Sequence, residues 1–457
     1  ARDTLTALVN VTQSAVCGEG VAMPLAEAAL PLTARQREAL EGMRVRFGQD
    51  LRVTDIYKHR YGEITLAAGD VLRVPTEIQE PGDAALRQAS ENADRSLVVG
   101  LPEDSGTYPA GTAFAGLLGV MAHDGQKQQF RPEALPEPEF PAIPSLGPPS
   151  AGHVRIVSAN LLNFFNGDGR GGGFPNARGA DTPEDFELQK ARLRSAMGLI
   201  RADLLGIQEL ENDGFGPDSA ANDFLALLEE SGGGPWRAVQ PPGERIGGDV
   251  ITVGLFYRSD VLEPVGAPAL LSGGPFDGLS RQPLAQVFRD RASGETFLVA
   301  SNHLKSKGRC PDAGENADQE DGQGCWNAAR TASVEAQVPW LEQLADRAGT
   351  QRILVLGDMN AWRLEDPIRR FRELGLVDLV ERLSGLPQHS FLYWGQTGTL
   401  DYAFASETLA AKARRAVIWN INASWPGGMD LPEPWLRMAD HDPVVVDFDF
   451  SHSSTSD

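Results

Sequence analysis

The stretch 438–448 reads MADHDPVVVDF. Three ionisable residues, Asp440, His441 and Asp442, stand directly before Pro443 and a run of three valines. The valines have the β-branched character and the length of a buried strand. A triplet of this kind at the mouth of a strand is an acidic turn, a metal site or part of a catalytic centre. Five other apolar runs carry polar residues at or near a strand boundary in the same way. RIVSAN (155–160) delivers Asn160, DLLGIQE (203–209) delivers Glu209, and TFLVASNH (296–303) delivers His303. RILVLGDMN (352–360) carries Asp358 and Asn360, and TLDYAF (399–404) carries Asp401. Singly, each has a bland reading as a turn or a solvated residue. Together they are the Asn, Glu, Asp and His stock of a metal-assisted phosphoryl-transfer site.

Helical periodicity alternates with these runs. Residues 184–201 place Phe186, Leu193, Met197 and Ile200 on one face. A second helix near 219–230 stops at Gly232-Gly233-Gly234. A third is expected from Asp366 as N-cap with Pro367 at N1, burying Ile368, Phe371 and Leu374 and ending at Gly375. Strands and helices mixed in this way specify a layered α/β (α+β) domain built on β-sheet over 153–450.

Upstream, RPEALPEPEFPAIPSLGPPS (131–150) holds seven prolines and no periodicity. It reads as a semi-rigid linker over 131–152. Before it the pattern is β. MRVRFGQDLRVTDIY (43–57) alternates apolar and polar residues, EITLAAGDVLRV (63–74) follows a Tyr61-Gly62 turn, and FAGLLGVMA (114–122) is a further strand candidate. Thr33 and Gln36 form a capping box for a short helix. His59 and His123 are lone histidines, read as surface or satisfied core groups. Residues 1–130 therefore read as a smaller β-barrel-like domain, and 451–457 as a disordered tail.

The chain has 457 residues, a net charge of -22 and no apolar run long enough to span a membrane. Such acidity argues against a broad basic DNA-coating surface. It leaves open a polyanionic substrate held by cations and a few local bases, which would form a rim near Lys305, Lys307 and Arg309. The chain opens without a signal segment, consistent with a leader already removed or a start inside a longer protein. There are three cysteines. Cys310 and Cys325 bracket an acidic glycine-rich loop. A disulfide there would stabilise by about 3 kcal/mol in the chain-entropy model and implies an oxidising compartment; two free thiols are the other reading. Cys17 is left over as a buried thiol.

The chemistry of the strand-end residues is direct. Asn160, Glu209 and Asp440 are hard oxygen ligands suited to Mg²⁺ or Mn²⁺. Asp358 can orient or activate water, and Asn360 can hold a non-bridging oxygen. A histidine backed by a carboxylate can donate a hydrogen bond or a proton. Lys305 and Lys307 are expected on one side of an extended loop, facing phosphate oxygens or solvent. The run Asp312, Glu315, Asp318, Glu320, Asp321 lacks EF-hand spacing, so a solvated loop outweighs a Ca²⁺ site. NGDGRGGGF (166–174) lacks the Gly-Lys-Ser/Thr of a phosphate loop and reads as a mobile loop.

SANLLNFF, GIQELEND, NHLKSKG, LGDMNAW, GTLDYAFAS and ADHDPVVVDF resemble, in order, the signature blocks of the endonuclease/exonuclease/phosphatase superfamily, the deoxyribonuclease I-like fold. RGADTPEDFELQKARL (178–193), NHLKSKGRC with DGQGCWNAAR, and the upstream EGMRVRF and RYGEITL make the chain most similar to secreted bacterial nucleases. The resemblance implies a four-layer αββα sandwich preceded by an OB-like barrel. It implies metal binding by Asn160, Glu209 and Asp440. It implies catalysis by His303, Asp358, Asn360, Asp401 and His441, with Asp401 orienting His441, and support for His303 from Asp249. Asp442 is left as the bystander of the triplet. Ala439 departs from the Ser common before the Asp-His pair, with little effect expected.

The expected activity is a secreted or periplasmic, metal-dependent nuclease cutting DNA and in one variant RNA, largely without sequence preference and endonucleolytically. Mg²⁺ or Mn²⁺ is the expected cofactor, with Ca²⁺ a third candidate. Nucleic acid is the expected partner, with no membrane and no obligate protein partner. One alternative keeps the fold and changes the substrate to sphingomyelin or inositol phosphates. Another is a catalytically inactive binding protein.

Overall fold

The computed structural model describes residues 10–16, 18, 22–123 and 128–451. Cys17 and the tail beyond Ser451 lie outside the described residues. The N-terminal part is a barrel. Strand β1 (Leu25–Ala28) runs parallel to β2 (Arg44–Asp55), which continues through β3 (Glu63–Ala68), β5 (Ser96–Gly100), β7 (Gln128–Ala134) and β6 (Ala113–His123). A β2–β6 pairing closes the five strands from β2 to β6 into a ring. Alternation explains the closure. Val45, Phe47, Leu51, Val53, Ile64, Leu66, Leu97, Val99, Phe114 and Phe130 point inward and form one core. His59 is a core histidine satisfied at one nitrogen only: its Nε2 accepts the Tyr108 N–H at 3.0 Å, while its buried Nδ1 has no hydrogen-bond partner.

Two differences from expectation concern the barrel's edges. The run 63–74 is not one strand: it breaks after Ala68, and β4 (Leu72–Arg73) leaves the barrel. The last barrel strand continues to Ala134, past the expected edge at 130. The proline-rich segment beyond it is also no free spacer. Leu146 is buried in the second domain's core, Pro144 O accepts the Trp419 indole N–H at 2.8 Å, and Leu146 O accepts from Arg415 at 2.6 Å.

The second domain stacks two six-stranded sheets. The first has the order β10 (Trp236–Ala238), β11 (Ile251–Arg258), β9 (Leu204–Glu211), β8 (Val154–Phe164), β21 (Val444–Phe448), β20 (Ala413–Ile418). The second runs β12 (Leu262–Leu270), β13 (Leu284–Asp290), β14 (Thr296–His303), β15 (Ile353–Asp358), β19 (Asp401–Ser406), β16 (Leu376–Asp378). Alternating side chains produce the layers. Ile156, Leu204, Val444 and Val446 face the other sheet, meeting Phe297, Val299, Leu354 and Leu356. Their neighbours Val157, Leu205, Ile207 and Val445 face outward onto the helices Pro183–Ile200 and Ala220–Glu230. On the far side Leu298, Ala300 and Val355 carry Asn327–Arg347 and Asp366–Glu373. The architecture is a four-layer αββα sandwich preceded by a barrel.

The helix Asn327–Arg347 had no counterpart in the sequence reading. Pro339 interrupts its pattern, and Arg330, Ser333 and Gln337 are buried on the face it shares with Val334, Val338 and Leu341. The third expected helix starts one residue earlier than read: Glu365 is the N-cap, Asp366 is N1 and Pro367 follows. Glu365 is fully buried, where it accepts from Thr76 Oγ1 (2.8 Å), Lys307 Nζ (2.5 Å) and the Trp362 N–H (3.2 Å).

A third, small sheet joins the two parts. Strand β17 (Phe391–Tyr393) pairs with β18 (Gln396–Gly398), and β18 pairs in parallel with β4 of the N-terminal part. Glu77 seals the same seam, its carboxylate accepting from Thr399 N (3.1 Å), Thr399 Oγ1 (3.2 Å) and Arg363 N (3.2 Å).

Candidate active site

The strand-end residues meet because of register. Asn160 and Gln208 are partners in the parallel β8–β9 pair, which puts Asn160 beside Glu209. In the other sheet His303 is opposite Asp358, and Asp358 is opposite Asp401. The two sheets are tied at this end: Gln208 Nε2 donates to Ser301 Oγ at 3.2 Å, and Ser301 Oγ donates to Ile207 O at 3.1 Å. The turn before β21 then brings in Asp440 and His441.

At the centre is a buried Asp358, Asp401 and His441 cluster. His441 Nδ1 donates to Asp401 Oδ2 at 2.8 Å, while its Nε2 lies 4.0 Å from Asp358 Oδ2. His303 Nε2 approaches the same Asp358 oxygen at 3.3 Å. Burial disfavours the His441 cation, but Asp401 and Asp358 outweigh it and hold the imidazole well above its ordinary value. Burial likewise works against the Asp358 carboxylate, and the two histidines reverse it, leaving its pKa below normal. The centre therefore offers an imidazolium N–H next to a carboxylate. Asn360 braces that carboxylate, its N–H donating to Asp358 Oδ1 at 2.8 Å and its amide to Oδ2 at 3.2 Å. Gly357 permits the close β14–β15 approach here: its φ is 142°, and a Cβ would lie 2.1 Å from Asn302 O.

Asn160 and Glu209 occupy a strained corner. Strand β8 bulges after Asn160, Leu162 and Asn163 have φ of 55° and 51°, and Glu209 has φ of 62°. Such backbone in non-glycine residues concentrates at functional sites. Glu209 Oε2 accepts the Asn163 N–H at 3.0 Å. Asn163 Oδ1 and Asn160 Nδ2 are buried without protein partners. An unpaired buried oxygen next to a carboxylate suits a hard cation, and an unpaired amide N–H suits a phosphate oxygen. Asn160 Oδ1 already accepts the Leu162 N–H at 2.9 Å and has one lone pair left, while Glu209 and the Asn163 oxygen thus offer donors that fit a divalent ion. The Asp358–Asp401–His441 group fits one less well, because its facing atoms already hydrogen-bond one another.

Some expected residues have other duties. Lys307 does not join Lys305 on one phosphate-facing side: its ammonium is bound to Glu365 and to the Gln323 carbonyl. Burial lowers its pKa to about 8 even so. Lys305 instead lies over the Trp326 ring at 4.8 Å, in a cleft of about 650 Å³ that also takes in Arg178, Arg281 and Arg309. This is the basic rim, with Arg178 and Arg281 in place of Lys307. Asp249 does not reach His303 as expected; it binds Arg281 Nε at 3.0 Å, and His303 Nδ1 has no hydrogen-bond partner. Asp442 is no bystander. Fully buried, it accepts from Asn420 Nδ2 (2.9 Å), Asn422 N (2.6 Å) and Ala423 N (3.2 Å), and so fixes the loop against which His441 sits. Cys310 and Cys325 are joined in a disulfide.

The sequence reading missed several contributors. Ser390 Oγ donates to Asp401 Oδ2 at 2.7 Å and accepts the N–H groups of Leu400 and Asp401, both at 3.0 Å. The Phe391 ring packs 4.4 Å from the His441 ring. Arg330, fully buried, donates to Lys305 O and Cys325 O, while its Nε and Nη2 have no partner. Only Arg330 and Arg178 lie in sequence blocks that had drawn notice; Ser390 carries no local signal.

Residues 157–441 match the Endonuclease/Exonuclease/phosphatase family. No curated protein sequence matches the chain. Among solved structures it is similar to the human Nocturnin catalytic domain with bound sulfate, at 19% identity over 65% of this chain and 93% of that one, TM-score 0.43. It is similar to a mannosyl-6-phosphatase of Bacteroides thetaiotaomicron at 17% identity, covering 64% and 98%, TM-score 0.44. A D. rerio TDP2 complexed with a single-strand DNA product shares 15% identity, covering 65% and 98%, TM-score 0.40. The family match spans well over half of the chain's 457 residues and contains every strand-end residue of the site. This chain belongs to the endonuclease/exonuclease/phosphatase family, whose members hydrolyse phosphoesters.

Proposed function

We propose that the protein is a secreted, divalent-metal-dependent endonuclease that hydrolyses phosphodiester bonds in DNA, with RNA the further substrate to be tested. One observation carries this reading above others within the family. In a chain of net charge -22, a cleft lined by Arg178, Arg281, Lys305 and Arg309 opens beside the histidine–aspartate centre. The Arg281 N–H donates to the His303 carbonyl, so cleft and centre are contiguous. Local bases on an acidic protein serve a polyanion that extends beyond the reacting phosphate. The disulfide supports an oxidising destination.

In this mechanism the phosphodiester sits at the strand ends, against the Asp358–Asp401–His441 cluster. Asn160, Glu209 and Asp440 would hold the cation, which would supply charge neutralisation of the phosphate and of the leaving oxyanion. Asp358, ionised and braced by Asn360, orients the attacking water and accepts its proton. His441 donates from Nε2 to a phosphate oxygen, its ring held by Asp401. His303, whose Nε2 approaches the same Asp358 oxygen as His441 Nε2, is the second imidazole donor.

Digestion of circular DNA, linear DNA and RNA, each with Mg²⁺, Mn²⁺, Ca²⁺ or EDTA, tests the reading. Relaxation and fragmentation of the circle that EDTA and His441→Ala abolish is the expected result. Release of choline phosphate from sphingomyelin with intact nucleic acid would overturn it.

A further inference from the structure

We infer that the groove between the barrel and the catalytic domain is a stacking platform for unpaired nucleobases adjacent to the scissile phosphate. This deepens the nuclease reading above and rests on it for the identity of the strand. The groove encloses about 490 Å³, and Asp440 forms part of its wall. It therefore begins at the reaction centre. Its outer part is aromatic: Trp394 and Tyr393 from the β17–β18 hairpin, and Tyr57 from the barrel. Trp394 is 68% exposed and Tyr57 72%. Their ring centroids are 6.3 Å apart across the domain boundary. Arg60, also in the lining, lies over the exposed Tyr61 ring at 4.8 Å.

These rings are held in place by construction. Trp394 has φ of 47°, unfavourable for a bulky residue, and Gly395 follows with φ of 73°. A Cβ on Gly395 would lie 2.8 Å from the Asp55 Cβ, so only glycine lets the hairpin tip seat against the barrel. The Thr54 hydroxyl donates to the Gly395 carbonyl, and β18 pairs with β4 immediately behind. Strained backbone thus presents a large apolar ring to water, and the surrounding packing enforces it.

The groove's chemistry selects the occupant. Exposed aromatic rings with a neighbouring guanidinium bind base faces, because every base has a π-face. Duplex DNA hides those faces; a single strand offers them. The basic cleft adjoins the centre at His303, where the groove adjoins it at Asp440, and the cleft handles phosphates. A strand that reaches both meets charge in the cleft and stacking in the groove. A lipid surface fits less well, because the rings line a recess between two bodies and stand beside charged Asp55 and Arg60.

The test measures binding in EDTA, where no cleavage occurs, using a fluorescent oligothymidylate, an abasic oligonucleotide of the same length, and a duplex. The intact protein is expected to bind the base-bearing strand more tightly than the abasic one. Trp394→Ala should erase that preference, weakening the base-bearing strand about five- to a hundredfold, the range of one lost stacking contact. Trp394→Phe should restore most of it, and Tyr57→Ala should act in the same direction. Equal loss for all three ligands, or no loss, overturns the platform. So does a Trp394→Ala protein that loses binding to sphingomyelin vesicles while its oligonucleotide affinities stay unchanged. Separate digestion with Mg²⁺ keeps the two readings apart. Base-selective binding without cleavage retains the platform and defeats the nuclease; cleavage without base-selective binding does the reverse.

Discussion

Asp401→Asn tests the centre most sharply, because Asp401 is argued to act only through His441. The two side chains are 8% and 2% exposed and meet at 2.8 Å. At an effective dielectric of about 20, unit charges about 4 Å apart interact by about 4 kcal/mol. Asp358 has that separation from His441 Nε2, at 4.0 Å, and Asp401 is closer to the ring. Replacing the nearer carboxylate removes at least this attraction, and a neutral hydrogen bond to the asparagine oxygen recovers about 1 kcal/mol. The net loss is about 3 kcal/mol of the attraction that favours the cation, so the His441 pKa falls from its raised position. The imidazolium is then no longer secured at alkaline pH. The expected result is a fall in kcat/KM of about a hundredfold at pH 8, shrinking as pH falls and the ring regains its proton. The assay is a pH series of kcat/KM from 5 to 9 on a single oligonucleotide at saturating Mg²⁺, with the melting temperature as a fold control. A loss independent of pH, or one below threefold at pH 8, would refute the argument that Asp401 holds the charge on His441. Ser390→Ala should cost at least about tenfold, since it removes a hydrogen bond to the Asp401 carboxylate, worth about 1.5–3 kcal/mol for a charged acceptor, and leaves the Leu400 and Asp401 N–H groups without their acceptor.

Other outcomes follow from the same geometry. Arg178→Ala with Arg309→Ala should lower the salt slope of duplex binding by up to about two, since each phosphate contact contributes about 0.9; titration from low to high salt reads it. Cys310→Ser with Cys325→Ser opens a loop with a separation of 15 residues, worth about 3 kcal/mol in the chain-entropy model, and should lower the denaturant midpoint. Burial raises the Glu77 pKa from 4.5 to about 7 in the folded protein. Folding therefore takes up a proton between these values, and its contribution, full below about pH 4.5, is lost as pH rises through 7. The barrel should become easier to proteolyse across that window, and Glu77→Gln should flatten the dependence.

How much was legible in the sequence depends on the range of each interaction. The six apolar runs with polar ends could be read because a buried strand must be apolar over its own length. The helices Pro183–Ile200 and Ala220–Glu230 showed for the same reason. Asn327–Arg347 hid because its buried face carries Arg330 and Gln337, which bond Lys305 O and the Asn302 side chain, 25 and 35 residues away. Lys307 shows the limit clearly. Spacing placed it beside Lys305, but Glu365, 58 residues on, captured it. Asp442 looked idle until the loop 420–423 folded over it.

What the sequence by itself determined is the inventory: which strands exist, which ends carry Asn, Glu, Asp and His, and which family they belong to. These follow from local patterning and residue chemistry. The tertiary structure decided the pairings. Asp401 reaches His441 across 40 residues only because β19 and the turn before β21 end at the same edge of the stacked sheets. The seat of β4 against β18, and with it the aromatic groove at Asp440, spans more than 300 residues of chain. No periodicity encodes a contact at that range. It arises when two cores close and bring unpaired strand edges and buried carboxylates within reach of partners.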